Sequence, residues 1–133
     1  MQRALTSEKA CNEIPGTHIS IGCYPDRALA REFDLIIDLT CEFPASGAGA
    51  PQRYLCFPNL DGVALSEIPA DLTLTREQKV LIHCAQGHGR SAILLALLLA
   101  RSGLTATPGQ GLEQIQAVRP LARPKRSQRQ QLR

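Results

Sequence analysis

Apolar residues fall along this chain in short dense runs separated by polar, glycine-bearing or proline-bearing stretches, and run length assigns the elements. Four runs are strand-sized. Residues 18–22, 34–39, 53–57 and 79–83 carry aliphatic or aromatic side chains over a strand's length, and 34–39 suits a strand buried on both faces if its neighbours are parallel. The run from Arg90 through Ala92 to Ala100 is longer and apolar all round, which predicts a helix inside the core. Residues 26–33, after Pro25, predict a short helix, residues 108–118 a further one opened by Pro108, and residues 125–132 a shorter basic one. Between them, residues 45–51 (Ala-Ser-Gly-Ala-Gly-Ala-Pro) read as a loop by composition. Strands alternating with helices predict an α/β fold: a central, mostly parallel sheet of four to five strands, helices on both faces and functional loops at the carboxyl ends of the strands.

One of those carboxyl ends carries chemistry. The strand over 79–83 runs into His83-Cys84-Ala85-Gln86-Gly87-His88-Gly89-Arg90-Ser91, and the buried helix follows directly. The first N–H groups of a helix lack intrahelical partners, and its dipole adds partial positive charge there. A tight loop with Gly87 and Gly89 can turn successive amides of residues 85–89 inward as an anion nest. Arg90 adds a planar guanidinium able to give two parallel hydrogen bonds to an oxyanion, which a lysine cannot do. A thiol at the base of such a nest has its pKa depressed, because the site favours negative charge. Cys84 is therefore placed as a nucleophile toward a phosphorus atom whose oxygens the loop holds.

The pattern His-Cys-x-x-Gly-x-x-Arg-Ser, here His83, Cys84, Gly87, Arg90 and Ser91, resembles the signature loop of the cysteine-dependent protein tyrosine phosphatases, most of all their compact dual-specificity branch, bacterial members included. The resemblance extends over residues 18–132, strongly at the signature and weakly at 19–25, 37–44 and 117–120. It implies a phosphotyrosine-phosphatase-like fold and a phosphomonoester hydrolase working through a phospho-cysteine. Cys84 and Arg90 would be catalytic, residues 85–90 would bind phosphate, His83 would organise hydrogen bonds around Cys84, and Ser91 would assist the departing thiolate. A leaving oxygen needs a proton, so a carboxylic acid is expected on an upstream loop. Asp61, in Phe57-Pro58-Asn59-Leu60-Asp61-Gly62 and 23 residues before Cys84, is the preferred candidate. Asp71 is the alternative, readable equally as a helix cap. Phosphotyrosine and also phosphoserine or phosphothreonine of proteins are the implied substrates, since no aromatic wall for a deep pocket is evident. A phosphoinositide or other small phosphate ester is the alternative, although relatives of that kind often carry Lys or Arg in the loop where Ala85, Gln86 and His88 stand here. A rhodanese-like sulfurtransferase and a non-catalytic phospho-binding module are the readings from other classes. Some relatives protect the nucleophile with a disulfide, a role open to Cys41 or Cys56.

Composition narrows the setting. A length of 133 residues with 44% hydrophobic residues suits one domain with one core, and 4% aromatics means that aliphatic side chains build it. The expectation is a single domain over 1–133 with flexible ends at 1–15 and 124–133, acting as a monomer. Fifteen Lys and Arg against twelve Asp and Glu leave a charge of only +3, so nucleic acid is not an expected partner. Arg119, Arg123, Lys125, Arg126, Arg129 and Arg133 nevertheless crowd the C-terminal end, where they read as a solvated tail or as a weak contact for an anionic membrane surface. Five cysteines without paired close spacing indicate a reducing compartment and no zinc site. A cytoplasmic chain, or a cytosol-facing domain of a longer membrane-attached one, is expected, with no metal or cofactor.

Overall fold

In a computed structural model of the chain the described residues are 11–22, 27–39, 53–56, 72–84, 89–124, 126 and 130. Five strands form one sheet: β1 (Cys11–Glu13), β2 (Ile19–Gly22), β3 (Leu35–Asp38), β4 (Arg53–Cys56) and β5 (Val80–His83), in the order β1-β2-β5-β3-β4. All neighbours are parallel except β1, which runs antiparallel to β2 at one edge. Three helices accompany them: α1 (Arg27–Ala30), α2 (Arg90–Arg101) and α3 (Pro108–Val118).

Register sorts the side chains. Ile19, Val80 and Leu35 lie in one row and Ile21, Ile82 and Ile37 in another, and because strand side chains alternate, both rows point to the same face. There they meet α2 and Ile115 of α3 in the main core, which also holds Ile14, Leu39, Leu74, Cys84 and Ala122. The intervening positions point the other way, where Ile36 and Leu81 pack with Phe33, Leu29 of α1 and Tyr54. The central strands are thus buried on both faces, which explains runs with no polar alternation.

Local signals set the ends of α2 and α3. At the end of α2, Gly103 has φ +78, its N–H bonds to the Ala100 carbonyl, and the Leu104 N–H bonds to that of Leu99. This is the paired-bond cap that a left-handed glycine permits. The Thr107 side chain accepts from the Gln110 N–H at 3.1 Å and Pro108 opens the helix, so α3 starts where cap and proline dictate. The two helices approach closely at Gly111: a Cβ there would lie 3.1 Å from the Ala96 carbonyl oxygen.

Three expectations are corrected. Residues 11–14 are part of the fold rather than a flexible end: β1 joins the sheet and Ile14 is buried. A tight turn secures them, with Gly16 at φ +77 and the Thr17 hydroxyl bonded to the Ile14 carbonyl and the Ile19 N–H. The helix expected over 26–33 is one turn, Arg27–Ala30, because Phe33 turns inward against Ile36 and Leu81 as the chain enters β3. Arg119 is not a solvated tail residue. It is 1% exposed and donates to the Asn12 side-chain oxygen at 2.7 Å, tying the end of α3 to the edge strand. Arg123 and Arg126 are exposed. The loop at 45–51 lies outside the described residues, as does the helix expected over 125–132 apart from Arg126 and Gln130. Among the described residues no helix is long and apolar enough to cross a membrane.

Candidate active site

The site lies where β5 ends and α2 begins. His83 is the last residue of β5, Cys84 follows it, and Arg90 and Ser91 open α2. Alternation sends Ile82 and Cys84 to the α2 side of the sheet and His83 to the opposite side. Cys84 is 3% exposed, and its Sγ lies 3.3 Å from the Oγ of the buried Ser91. The sequence places these two residues seven positions apart, and the placement of the end of β5 against the start of α2 brings their side chains together.

Arg90 is buried, and its Nη1 donates to the Leu39 carbonyl at 3.3 Å. That carbonyl lies just past β3, so the guanidinium is anchored to the adjacent strand end. Gly89 stands at the N-cap of α2, the cap makes no side-chain hydrogen bond, and no acidic residue occupies the first turn. An anion thus meets the positive end of the helix dipole with no fixed carboxylate competing from that turn.

On the other face His83 is wholly buried. Its Nδ1 lies 3.4 Å from the Cys84 carbonyl oxygen and its Nε2 lies 3.8 Å from Oδ1 of the equally buried Asp38. Asp38 also accepts a hydrogen bond from the Tyr54 hydroxyl. Burial holds the imidazole below its ordinary pKa of 6.5, with the Asp38 charge and the bond to the Cys84 carbonyl acting in the opposite direction.

The expected site residues Cys84, Arg90, Ser91 and His83 thus come together. Asp61, Asp71, Ala85, Gln86, Gly87, His88 and Cys41 lie outside the described residues, and of Cys56 only the backbone is described, at the end of β4. Asp38, Tyr54 and the Leu39 carbonyl were not anticipated. The carboxylate was visible as a signal, because Asp38 interrupts an apolar strand between Ile37 and Leu39, and a buried acid calls for a partner.

No family model matches the sequence, and no curated protein matches it. Solved structures do match by fold. Tk-PTP in its active form superposes with a TM-score of 0.70 at 21% identity, over 91% of this chain and 92% of its own. PTPMT1 in complex with PI(5)P gives 0.70 at 19% identity, over 93% and 92%. Human DUSP28 gives 0.72 at 16% identity, over 93% and 90%. The chain therefore has the fold of the cysteine-dependent protein tyrosine phosphatases in their compact dual-specificity form, and at Cys84 and Arg90 it carries the Cys-x5-Arg spacing of their signature loop.

Proposed function

We propose that the protein is a phosphomonoester hydrolase that uses Cys84 as its nucleophile. The reading is carried by one juxtaposition: a thiol 3.3 Å from the Ser91 hydroxyl, at the N-terminus of a buried helix whose first residue is a buried, strand-anchored arginine. In the first step the Cys84 thiolate attacks phosphorus in line, an S–P bond forms, and the ester P–O bond breaks. Arg90 and the loop N–H groups carry the charge on the three non-bridging oxygens. Asp61 gives its proton to the leaving oxygen. In the second step water attacks phosphorus, Asp61 takes its proton, and the S–P bond breaks as Ser91 donates to the departing thiolate.

Phosphotyrosine in proteins is the first substrate class, and phosphoserine and phosphothreonine join it because the sequence shows no obvious counterpart of the aromatic wall of tyrosine-specific relatives. A phosphoinositide is the second reading, favoured by the similarity of fold to PTPMT1, which was solved with PI(5)P. Hydrolysis of a generic aryl phosphate by the purified chain, lost in Cys84→Ser while phosphate binding persists, tests the chemistry. Full turnover by Cys84→Ser would refute it. Sulfur transfer from thiosulfate to cyanide without phosphatase activity would replace it with the sulfurtransferase reading. Comparing phosphopeptides with phosphoinositides then separates the substrate classes.

A further inference from the structure

One large apolar side chain stands in solvent among the described residues, and a rigid turn holds it there. It is Leu121, 49% exposed. The Ala122 N–H bonds to the Arg119 carbonyl at 2.9 Å, which closes a β-turn with Pro120 and Leu121 at its two central positions. Proline's fixed φ suits the first of these. Both flanks are pinned. The Arg119 N–H bonds to the Ile115 carbonyl at 2.8 Å, its buried guanidinium holds the Asn12 side chain, and Gln116 donates to the carbonyl of the wholly buried Ala122 at 3.0 Å. Pro120 and Leu121 are thereby held outward, and so is Arg123, which is exposed between buried Ala122 and buried Pro124.

The turn stands at the same end of the molecule as Cys84. The Thr105 N–H bonds to the Leu99 carbonyl and Gly111 lies against Ala96, so α3 runs back along α2 toward its N-terminus. At about 1.5 Å per residue α3 rises roughly 10 Å from Gly111 to Val118, and α2 covers roughly 9 Å from Ala96 back to Arg90. Strand register agrees: Asn12, which holds Arg119, lies opposite Ile21, and Ile21 lies opposite Ile82, the residue before His83. Charge here has one sign. No Asp or Glu follows Glu113 in the sequence, while Arg123 and Arg126 are exposed beyond the turn.

We propose that the Pro120–Leu121 turn, with Arg123 and Arg126, docks the protein on an anionic lipid surface. Leu121 enters the boundary between headgroups and acyl chains, and the guanidiniums stay at headgroup level against lipid phosphates. Charge complementarity and size select this occupant. A specific protein partner needs about 800 Å² of buried surface with an apolar centre, and a single leucine followed by arginines supplies no such centre. A bilayer needs none, since its headgroups part around one side chain. The turn is already closed, so docking requires little further ordering. One leucine and two arginines make the contact weak and reversible, and it draws the Cys84 end of the chain toward the surface. The docking goes beyond the phosphatase reading and does not depend on it.

The test uses the tryptophan that the chain lacks. Leu121→Trp puts a single fluorophore on the turn, and Ala106→Trp puts one in the exposed connection at the far end of the α2–α3 pair. With vesicles of phosphatidylcholine and phosphatidylserine, the emission of Leu121→Trp is expected to move to shorter wavelength and that of Ala106→Trp to stay. Vesicles of phosphatidylcholine alone are expected to move neither. Sedimentation of the full chain with the mixed vesicles, at low ionic strength where surface charge is least screened, measures partition. Leu121→Gln is expected to weaken it roughly three- to tenfold, and Arg123→Gln and Arg126→Gln roughly fivefold each. No shift in Leu121→Trp, an equal shift in Ala106→Trp, or partition unchanged in Leu121→Gln and Arg123→Gln would overturn the proposal. So would slower hydrolysis of a phosphopeptide by Leu121→Gln without vesicle binding, which would assign the turn to a protein partner. The vesicle measurements need no turnover: a chain that hydrolyses no phosphate ester would refute the phosphatase reading and leave the docking result standing.

Discussion

Ser91→Ala is the most direct probe of the proposed chemistry. The substitution removes one oxygen from a wholly buried site and leaves the fold of α2 unaltered, because the hydroxyl's role at this position is its 3.3 Å contact with Cys84 Sγ. A hydrogen bond to a charged partner contributes about 1.5–3 kcal/mol. The bond reaches that strength only when the sulfur is a thiolate, which happens before attack and again as the S–P bond breaks. At about 1.4 kcal/mol per tenfold, its loss corresponds to a roughly 10- to 150-fold slower breakdown of the phospho-cysteine. The sign for the free enzyme follows from the same bond. It favours the charged form, so its loss raises the thiol pKa, by about one to two units at most. Stopped-flow hydrolysis of an aryl phosphate should show a burst of released phenol equal to the enzyme concentration, followed by a slow steady state. Acid quench during that steady state should trap the phospho-cysteine on the peptide that contains Cys84. Turnover at the wild-type rate, with no burst, would refute the reasoning and make Ser91 a packing residue.

Three other outcomes are expected. Gly111→Ala introduces a Cβ 3.1 and 3.2 Å from the Ala96 backbone, whereas at Gly109 the nearest heavy atom is 3.8 Å away. Overpacking costs about 1–3 kcal/mol, so thermal unfolding should place Gly111→Ala roughly 3–10 °C below Gly109→Ala, and equal melting temperatures would contradict the close approach of α2 and α3. Asn12→Ala removes the acceptor 2.7 Å from the buried Arg119 guanidinium and should cost about 1.5–3 kcal/mol by urea titration, while a loss within error would show that the edge strand is not held there. The His83 pKa lies below 6.5 in the folded chain, chiefly through burial, so the folded state binds fewer protons than the unfolded one as pH falls through 6.5. Its contribution is complete above that pH and declines below it, and urea midpoints in mildly acidic buffer should fall less steeply in His83→Gln than in wild type.

Much of the architecture was legible because burial on both faces writes itself into the sequence as unbroken runs. Residues 34–39 and 79–83 predicted β3 and β5 to within a residue at each end. Pro108 predicted the start of α3, since a proline at the first helical position acts locally. β1 was not legible: Cys-Asn-Glu carries no strand pattern, and it becomes a strand only because β2 offers it an edge and the Ile14–Thr17 turn returns the chain to that edge. The basic C-terminal cluster misled for a related reason, because nothing local distinguishes the buried Arg119 from the exposed Arg123.

For the candidate site the division is equally physical. The order His83, Cys84, two glycines, Arg90 and Ser91 declared an anion loop, because the chemistry of such a loop is local: consecutive amides, one helix terminus and one guanidinium fork. What lies behind it was decided by sheet order. Inserting β5 between β2 and β3 sets Asp38 beside His83 and Leu39 within reach of Arg90, although about fifty residues separate these partners in the chain. Strand pairing across that separation is a property of the closed sheet and of no single segment. The sequence by itself therefore nominated Cys84 as the nucleophile and the loop after it as an anion nest, and only the tertiary structure set the buried Asp38 carboxylate beside His83.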